Sequence, residues 1–325
     1  MNNKQFTDKG NRNNTDSKAG KKKNRKNNKN NRNNKYNKKN SGRKRRKDNL
    51  AAQWWKLTIA NNFMFKKVFG NKELCLELLR LILPELHIED ISFPEKEREM
   101  KETADGKGVR LDVYTTDDRK RVYDLEMQVR NTMELPRRSR YYAGMIDQTE
   151  LGQGNHYSDL PDTIVIFICP FDLFHKGMYR YTFLEICMED QETELQDGTM
   201  RIFLNTKGTT GDVPQGLKDF LHYVEEGRLT DELAEHADSF LRKVDQEVQI
   251  AKQNREWRAE YMNAMLYVQD AEIIAERRGI MKERRRHAKE MQRIEEERQR
   301  DGIKMIELQE KLRKTELELQ QTKMR

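Results

Sequence analysis

Two strand-like runs near the middle of the chain carry the side chains best suited to chemistry. The first run, residues 109–115, contains Asp112, and the second, residues 121–130, contains Glu126 and Gln128. A short polar turn separates the two runs, which predicts an antiparallel hairpin. Two carboxylates held close together on a hairpin can bind a divalent cation through oxygen, and such a cation can act on a phosphodiester.

The register of this hairpin has two solutions. A turn centred on Arg119 places Asp112 directly opposite Glu126, whereas a turn centred on Asp118 places Asp112 opposite Asp124, with Glu126 as its diagonal neighbour. Opposed Cβ atoms lie about 5 Å apart and diagonal ones about 7 Å apart. Both registers therefore allow Asp112 and Glu126 to share one Mg²⁺.

Side-chain alternation along the strands places Asp112, Glu126 and Gln128 on one polar face. Gln128 is neutral, so it can position a water molecule but cannot take a proton from it. Four nearby arginines can supply positive charge to a phosphate: Arg110, Arg130, Arg137 and Arg138. The competing interpretation is that Asp112 and Glu126 are ordinary solvated residues on the exposed face of a hairpin.

The elements around the hairpin predict one α/β domain over residues 54–253. Helices are predicted at residues 61–70, 73–83, 135–151, 214–226 and 230–253. Further strands are predicted at residues 88–93, 163–169, 179–187 and 200–205, the last two as a hairpin. The run TIVIFIC at Thr163–Cys169 is continuously apolar, which is typical of a central strand covered on both faces.

The charge of the chain is divided unevenly. Residues 1–48 carry 19 Lys and Arg against 3 Asp, so this segment has a charge of +16 and the remainder has −8. The segment is also rich in Asn and has almost no apolar residues, which predicts a disordered basic arm over residues 1–50. Two roles stay open for the arm: an electrostatic contact to nucleic acid, or a solubilising tail.

Composition also excludes several classes of protein. The three cysteines, Cys75, Cys169 and Cys187, are widely spaced in apolar runs, so they predict core residues in a reducing compartment rather than a disulfide framework or a zinc site. No apolar run approaches the roughly 20 residues that cross a bilayer, and the N-terminus lacks the apolar segment of a signal peptide. We therefore expect a cytoplasmic protein with no membrane partner.

The tail, residues 254–325, is rich in helix-forming charged residues and is predicted to be helical. Heptads can be assigned from Met291 onward. The a positions are Met291, Arg298, Met305, Leu312 and Leu319, and the d positions are Ile294, Asp301, Leu308, Thr315 and Thr322. Arg298 and Asp301 interrupt the apolar seam, so only the last three heptads or so favour a coiled coil and a homo-oligomer. A single solvated helix is the slightly favoured alternative for the isolated chain.

Four segments of the sequence, taken together and in order, resemble one known family. They are LTIANNFMFKKVFGNKELCLELLRLIL, GKGVRLDVYTTDDRKRVYDLEMQV, RRSRYYAGMIDQTEL and TIVIFICPFDLF. The sequence resembles the PD-(D/E)XK nuclease family transposases, also called the recombination-promoting nuclease family, from about residue 56 to residue 227. The resemblance implies a restriction-endonuclease-like core, with a mixed sheet flanked by helices. It also implies cleavage of DNA that depends on Mg²⁺ or Mn²⁺.

The resemblance also implies roles for individual residues. Asp112 matches the motif aspartate and Glu126 the motif glutamate, both as metal ligands and catalytic residues. Gln128 stands at the catalytic position that is Lys in the wider superfamily and Gln in this branch. The expected nucleic-acid-binding residues are Arg110, Arg137, Arg138 and Tyr142, with Tyr141 beside them in the same helix motif.

One residue departs from the family pattern. Asn62 stands where similar sequences usually carry an Asp. If that acid contributes to the site, activity is weakened here. We expect instead that Asn62 is a helix N-cap, because Asn and Asp share that role.

Three functions remain distinct at this stage. The leading prediction is a metal-dependent DNA endonuclease, a hydrolase associated with transposition or recombination. The first alternative is a catalytically inactive relative that binds nucleic acid or oligomerises. The second alternative is an interaction protein whose function lies in the C-terminal helix.

Overall fold

A computed structural model describes residues 44–101 and 107–323, with side chains described up to residue 316. The first compact unit ends at Met262 and the second begins at Asn263. The predicted arm lies outside the described residues up to residue 43, and its last part, residues 44–50, is helical. Among the described residues, no helix is long and apolar enough to cross a membrane.

Eight α-helices and six strands make up the described chain. The helices are α1 (44–55), α2 (Asn62–Phe69), α3 (Lys72–Ile82), α4 (Leu135–Glu150), α5 (Gln215–Glu226), α6 (Asp231–His236), α7 (Ser239–Gln253) and α8 (Arg255–Lys323). The strands are β1 (Glu95–Met100), β2 (Val109–Thr116), β3 (Val122–Met127), β4 (Thr163–Cys169), β5 (Arg180–Phe183) and β6 (Thr199–Asn205).

The strands form one mixed sheet in the order β1-β2-β3-β4-β6-β5. Antiparallel pairing joins β1, β2 and β3, and parallel pairing joins β3 to β4 and β4 to β6. Strand β5 pairs antiparallel with β6, as expected for the predicted late hairpin. Helices flank this sheet, so the predicted α/β fold with a restriction-endonuclease-like mixed sheet is confirmed.

The sequence pattern of each strand explains its place in the sheet. Every residue of β4 is buried, because parallel strands border it on both sides and helices cover it. Strand β1, with the sequence EKEREM, lies at an edge, buries only Met100 and exposes charged side chains. Charge on an edge strand disfavours pairing with other chains.

Two predicted elements are wrong. No strand covers residues 88–93, where the described chain has only an isolated bridge between Ile91 and Asp117. The strand is β1 instead, which sequence alternation missed because its residues are almost all charged. The single helix predicted over 230–253 is two helices, since Asp238 caps a new helix by accepting a hydrogen bond from the Leu241 N–H at 2.8 Å.

Asp117 fixes the turn between β2 and β3. Its Oδ1 accepts hydrogen bonds from the Arg119 and Arg121 N–H groups at 2.9 Å, and its Oδ2 accepts from Arg121 Nε at 2.6 Å and from the Tyr123 hydroxyl at 2.8 Å. The strands pair Val113 with Leu125, so the turn is centred on Arg119. Of the two registers considered, this one places Asp112 opposite Glu126.

Helix α2 packs against β1, β2 and β3 and brings two polar residues toward the hairpin. Its N-cap is Asn61, whose side chain accepts hydrogen bonds from the Phe63 and Met64 N–H groups. The expectation that Asn62 is the N-cap is therefore wrong by one residue. Asn62 and Lys66 lie one turn apart on α2, and both reach Asp112.

Helix α8 runs from Arg255 to Lys323, as the composition of the tail predicts. The apolar heptad residues with described side chains are exposed: Met291, Ile294, Met305, Leu308 and Leu312. Leu319 and Thr322 lie outside the described side chains. A homo-oligomer formed through this helix stays a prediction.

We expect Asn61→Ala to lower the free energy of unfolding by about 1 kcal/mol, because two N–H groups at the start of α2 lose their acceptor. In a domain of this size, that change lowers the thermal midpoint by about 2–4 °C. Asn61→Asp retains the acceptor and is the matched control. Thermal denaturation followed by circular dichroism measures both, and equal midpoints for Asn61→Ala and Asn61→Asp would contradict the assignment of the cap.

Candidate active site

The acidic residues lie where strands β2 and β3 separate. Regular pairing between the two strands ends at Val113 and Leu125, and the same register brings Asp112 opposite Glu126. Beyond that point, main-chain N–H groups donate hydrogen bonds to side-chain carboxylates instead of to the carbonyl groups of the neighbouring strand. Glu126 Oε1 accepts a hydrogen bond from the Asp112 N–H at 2.8 Å, and Asp112 Oδ2 accepts one from the Met127 N–H at 3.3 Å.

These acids are buried together with a third. Asp112, Asp124 and Glu126 are 6%, 0% and 4% exposed. The interpretation of Asp112 and Glu126 as solvated residues on an exposed face is therefore wrong. Both faces of the hairpin are covered at this point, and a buried carboxylate needs a compensating partner.

Asp124 has the least compensation of the three. Both of its carboxyl oxygens are buried, and neither accepts a hydrogen bond from a donor group in the described part of the chain. Burial, and then the nearby charge of Asp112, raises the pKa of Asp124 well above its ordinary value of 3.8. The charge of Arg138 and the neighbouring carboxyl of Glu126 act against this rise in pKa, so Asp124 is a poorly compensated acid in the core of the site.

The other two acids are shifted in the same direction. Burial, followed by the charges of Asp124 and Asp112, raises the pKa of Glu126 well above its ordinary value. Burial also raises the pKa of Asp112, with the charge of Lys66 acting against the shift. Burial is thus the first cause of all three raised pKa values, and neighbouring carboxyl charges add to it at Asp124 and Glu126.

Positive charge reaches the acids from two helices. Lys66 on α2 lies with Nζ 3.6 Å from Asp112 Oδ1, and Asn62 Nδ2 donates to Asp112 Oδ2 at 3.4 Å. On α4, Arg138 lies with one guanidinium nitrogen 3.4 Å from Glu126 Oε2. All three distances are long for charge-assisted contacts, which are about 2.7–2.9 Å when strong.

Gln128 contacts Arg138 rather than the acids. Its Oε1 accepts a hydrogen bond from Arg138 at 2.6 Å, and its Nε2 donates to the Arg130 carbonyl. Arg138 also donates to the Tyr142 hydroxyl at 2.8 Å. The amide of Gln128 therefore orients the guanidinium group that faces Glu126.

The donor set fits a hard divalent cation. The long contacts leave lone pairs of Asp112 and Glu126 free, and Mg²⁺ is commonly held by one or two carboxylates together with water and phosphate. Among the described residues, no group of three or more His, Cys, Asp or Glu side chains forms a ready metal cage. Asp112 and Glu126 are the residues that could hold the ion, and the buried oxygens of Asp124 add negative charge behind them.

A groove of about 800 Å³ extends along α4 and the start of β2. The four sequence-predicted nucleic-acid-binding residues, Arg110, Arg137, Arg138 and Tyr142, all line it. Lys107 and Arg140 add two cations that the sequence prediction missed, against one acid, Glu134. Arg138 lines the groove and also contacts Glu126, so this residue connects the groove to the acid cluster, although none of the three acids lines the groove.

Three residues of the site were not predicted as site residues. Asp124 had a usable signal, since it stands two positions before Glu126 on the same strand face. Lys66 had a weaker signal, the i, i+4 spacing from Asn62. Glu97, which contacts Lys66 at 2.5 Å, had none because its strand was not predicted.

Comparison with known proteins adds one finding. A family model described as PD-(D/E)XK nuclease family transposase matches residues 59–277, about two thirds of the chain. The match covers the whole sheet, helices α2 to α7 and the candidate site. Searches of curated proteins and of solved structures gave no significant match.

The raised pKa values predict how stability depends on pH in the cation-free protein. Above the ordinary carboxyl pKa, the folded state retains protons on Asp124 and Glu126 that the unfolded state has lost. This contribution to stability is complete at low pH and is lost as the pH rises through the folded-state values. We therefore expect the thermal midpoint of Asp124→Asn, relative to wild type, to increase as the pH rises.

Thermal midpoints in a chelator, from about pH 5 to about pH 9, measure this difference. Asp212→Asn, at an exposed loop position, is the matched control and should show a constant difference from wild type. A constant difference for Asp124→Asn as well would contradict the buried, uncompensated state of this carboxyl group.

Proposed function

Because the chain belongs to the PD-(D/E)XK nuclease family transposases, we propose that it is a Mg²⁺-dependent DNA endonuclease that hydrolyses phosphodiester bonds in transposition or recombination. The observation that carries this proposal is the burial of Asp112, Asp124 and Glu126 beside too few positive groups. A divalent cation, Mg²⁺ or Mn²⁺, supplies the missing compensation at a site of this kind.

In this proposal, Asp112 and Glu126 hold the cation through carboxyl oxygens that still have free lone pairs. A bound Mg²⁺ lowers the pKa of a coordinated water and stabilises negative charge on the phosphate. The hydrogen bond from the Asp112 N–H to Glu126 Oε1, at 2.8 Å, fixes the separation of the two carboxylates. When ionised, Asp124 adds negative charge beside these two acids, so a proton competes with the cation for the cluster.

Arg138 is the residue that would contact the phosphate beside the acids. Its guanidinium group is planar and carries donors in a fork that matches phosphate oxygens. Gln128 and Tyr142 hold this group in place by hydrogen bonds of 2.6 Å and 2.8 Å. Gln128 thus acts on the reaction by positioning Arg138, in addition to the sequence-based role of positioning water.

The basic groove would bind the DNA backbone on the approach to the acids. Its cations are arginines and a lysine on α4 and near β2, which suit phosphate oxygens rather than base edges. Contacts of this kind set the position of the duplex and carry little sequence information. We therefore expect low sequence selectivity.

The burial of the acids also weighs against a catalytically inactive relative. Buried carboxylates without partners lower stability, and apolar residues of similar size usually replace them at little cost or with a gain. A protein without catalytic use for the cluster would have no reason to keep three such acids. An inactive relative is the conclusion if the cleavage experiment fails.

We expect Asp112→Asn to reduce Mg²⁺-dependent plasmid nicking to the level of the metal-free protein, because one charged ligand is lost. The variant should fold, since the amide oxygen still accepts from the Met127 N–H. Nicking of supercoiled plasmid with and without Mg²⁺, together with circular dichroism, measures both effects. Asp212→Asn is the matched control, and full Mg²⁺-dependent nicking by Asp112→Asn would reject the proposed function.

We expect Arg137→Ala to weaken DNA binding at all sequences, since Arg137 is an exposed cation of the groove. Loss of one phosphate contact should reduce the slope of log K against log salt concentration by about 0.9. Fluorescence anisotropy with a labelled duplex in Ca²⁺ measures the slope. Arg228 is an exposed arginine outside the groove lining, so Arg228→Ala should leave the slope unchanged. Equal slopes for the two variants would show that DNA binds outside the groove.

A further inference from the structure

Glu97 on β1 lies directly across from Asp112. The pairs Lys96 with Val113 and Arg98 with Leu111 flank this position, so Glu97 and Asp112 face each other although they form no regular pair. Glu97 has a φ of 59°, a left-handed backbone conformation that a non-glycine residue rarely adopts. Such outliers persist where the surrounding structure enforces them, and they are frequent at functional sites.

Lys66 connects Glu97 to Asp112. Its Nζ lies 2.5 Å from Glu97 Oε1 and 3.6 Å from Asp112 Oδ1, so the ammonium group is drawn to the Glu97 side. The Lys66 side chain is 13% exposed, whereas that of Glu97 is 46% exposed. Arg110 lies farther from Glu97, at 3.9 Å, and does not displace Lys66.

A positive charge at this distance opposes a cation on Asp112. Two like charges a few ångströms apart in a partly buried site repel by an amount that changes binding by about tenfold or more. If Lys66 moved onto Asp112 as a direct ion pair, it would occupy a carboxyl oxygen that the cation needs. The position of Lys66 therefore bears on how strongly the acids bind a metal ion.

We propose that Glu97 is a positioning residue that holds the Lys66 ammonium away from Asp112, so that the Lys66–Glu97 pair sets the affinity of Asp112 and Glu126 for a divalent cation. This inference rests on the proposed function, because it requires that these two acids bind the cation. It assigns a role to the strained residue of β1 and to Lys66, which was not among the residues with an expected role in the site.

Binding of Mn²⁺ to the full chain without DNA, measured by isothermal titration calorimetry, tests the proposal. Lys66→Met removes the opposing charge and should tighten binding about tenfold. Glu97→Gln releases Lys66 toward Asp112 and should weaken binding on the order of tenfold. Lys66→Arg retains the charge and should stay within about threefold of wild type.

The double variant separates positioning from a direct effect of charge. If Glu97 acts through Lys66, Glu97→Gln should change Mn²⁺ affinity by less than about twofold when Lys66→Met is also present. Glu99→Gln is the matched control, since Glu99 lies on the same strand, is 76% exposed and lies 3.7 Å from Arg110. It should leave the affinity within about twofold of wild type.

Three results would overturn the inference while leaving the proposed function intact. The first is Mn²⁺ binding by Glu97→Gln that is unchanged or tighter than that of wild type. The second is an equal effect of Glu97→Gln on Mn²⁺ affinity in the wild-type and Lys66→Met backgrounds. The third is an effect of Glu99→Gln equal to that of Glu97→Gln. If Lys66→Met fails to fold, Glu97→Gln, Glu99→Gln and Lys66→Arg still decide the question. Absence of Mn²⁺ binding by the wild-type protein would instead reject the proposed function itself, and the inference with it.

Discussion

Repulsion among Asp112, Asp124 and Glu126 is the constraint on which the rest of this structure depends. The three carboxyl groups are buried where two strands separate; burial raises the pKa of all three, and neighbouring carboxyl charges raise those of Asp124 and Glu126 further. Burial of uncompensated charge is strongly unfavourable, so other parts of the chain must bring positive groups to this place. Helices α2 and α4 do so with Lys66 and Arg138, whose contacts are long enough to leave room for a cation.

The scaffold holds this unfavourable cluster by fixing its surroundings at several independent points. The Asp117 turn sets the register that brings Asp112 opposite Glu126, and a one-residue shift would separate them. Parallel pairing of β3 with β4 holds Glu126 beside Phe167, against which Tyr142 of α4 packs. The geometry of the acids is thus set by the sheet, and the positive groups are set by helices packed on it.

The sequence predicted the parts of the molecule that rest on short-range pattern. The central strand β4 and a hairpin register with Asp112 opposite Glu126 as one of two solutions followed from periodicity and turn position, whereas the mixed sheet followed from the family resemblance. Strand β1 did not, because its charged residues lack alternation and pair only through tertiary context. The contact of Lys66 with Glu97 depends on that pairing and on the packing of α2, so no local pattern could reveal it.

Asn62 stands where similar sequences usually carry an Asp, and the charged groups around it give this difference a physical reason. Asn61 caps the helix, so Asn62 is free to contact Asp112, and its amide donates toward Oδ2 at 3.4 Å. An aspartate at this position would add a fourth negative charge next to a carboxylate that is already repelled by two others. Such an aspartate would require a further positive group nearby, whereas the Asn62 amide donates a hydrogen bond to Asp112 and adds no charge. In this chain, Asn62 therefore adds no further negative charge beside Asp112, and the charge that the site must compensate is lower.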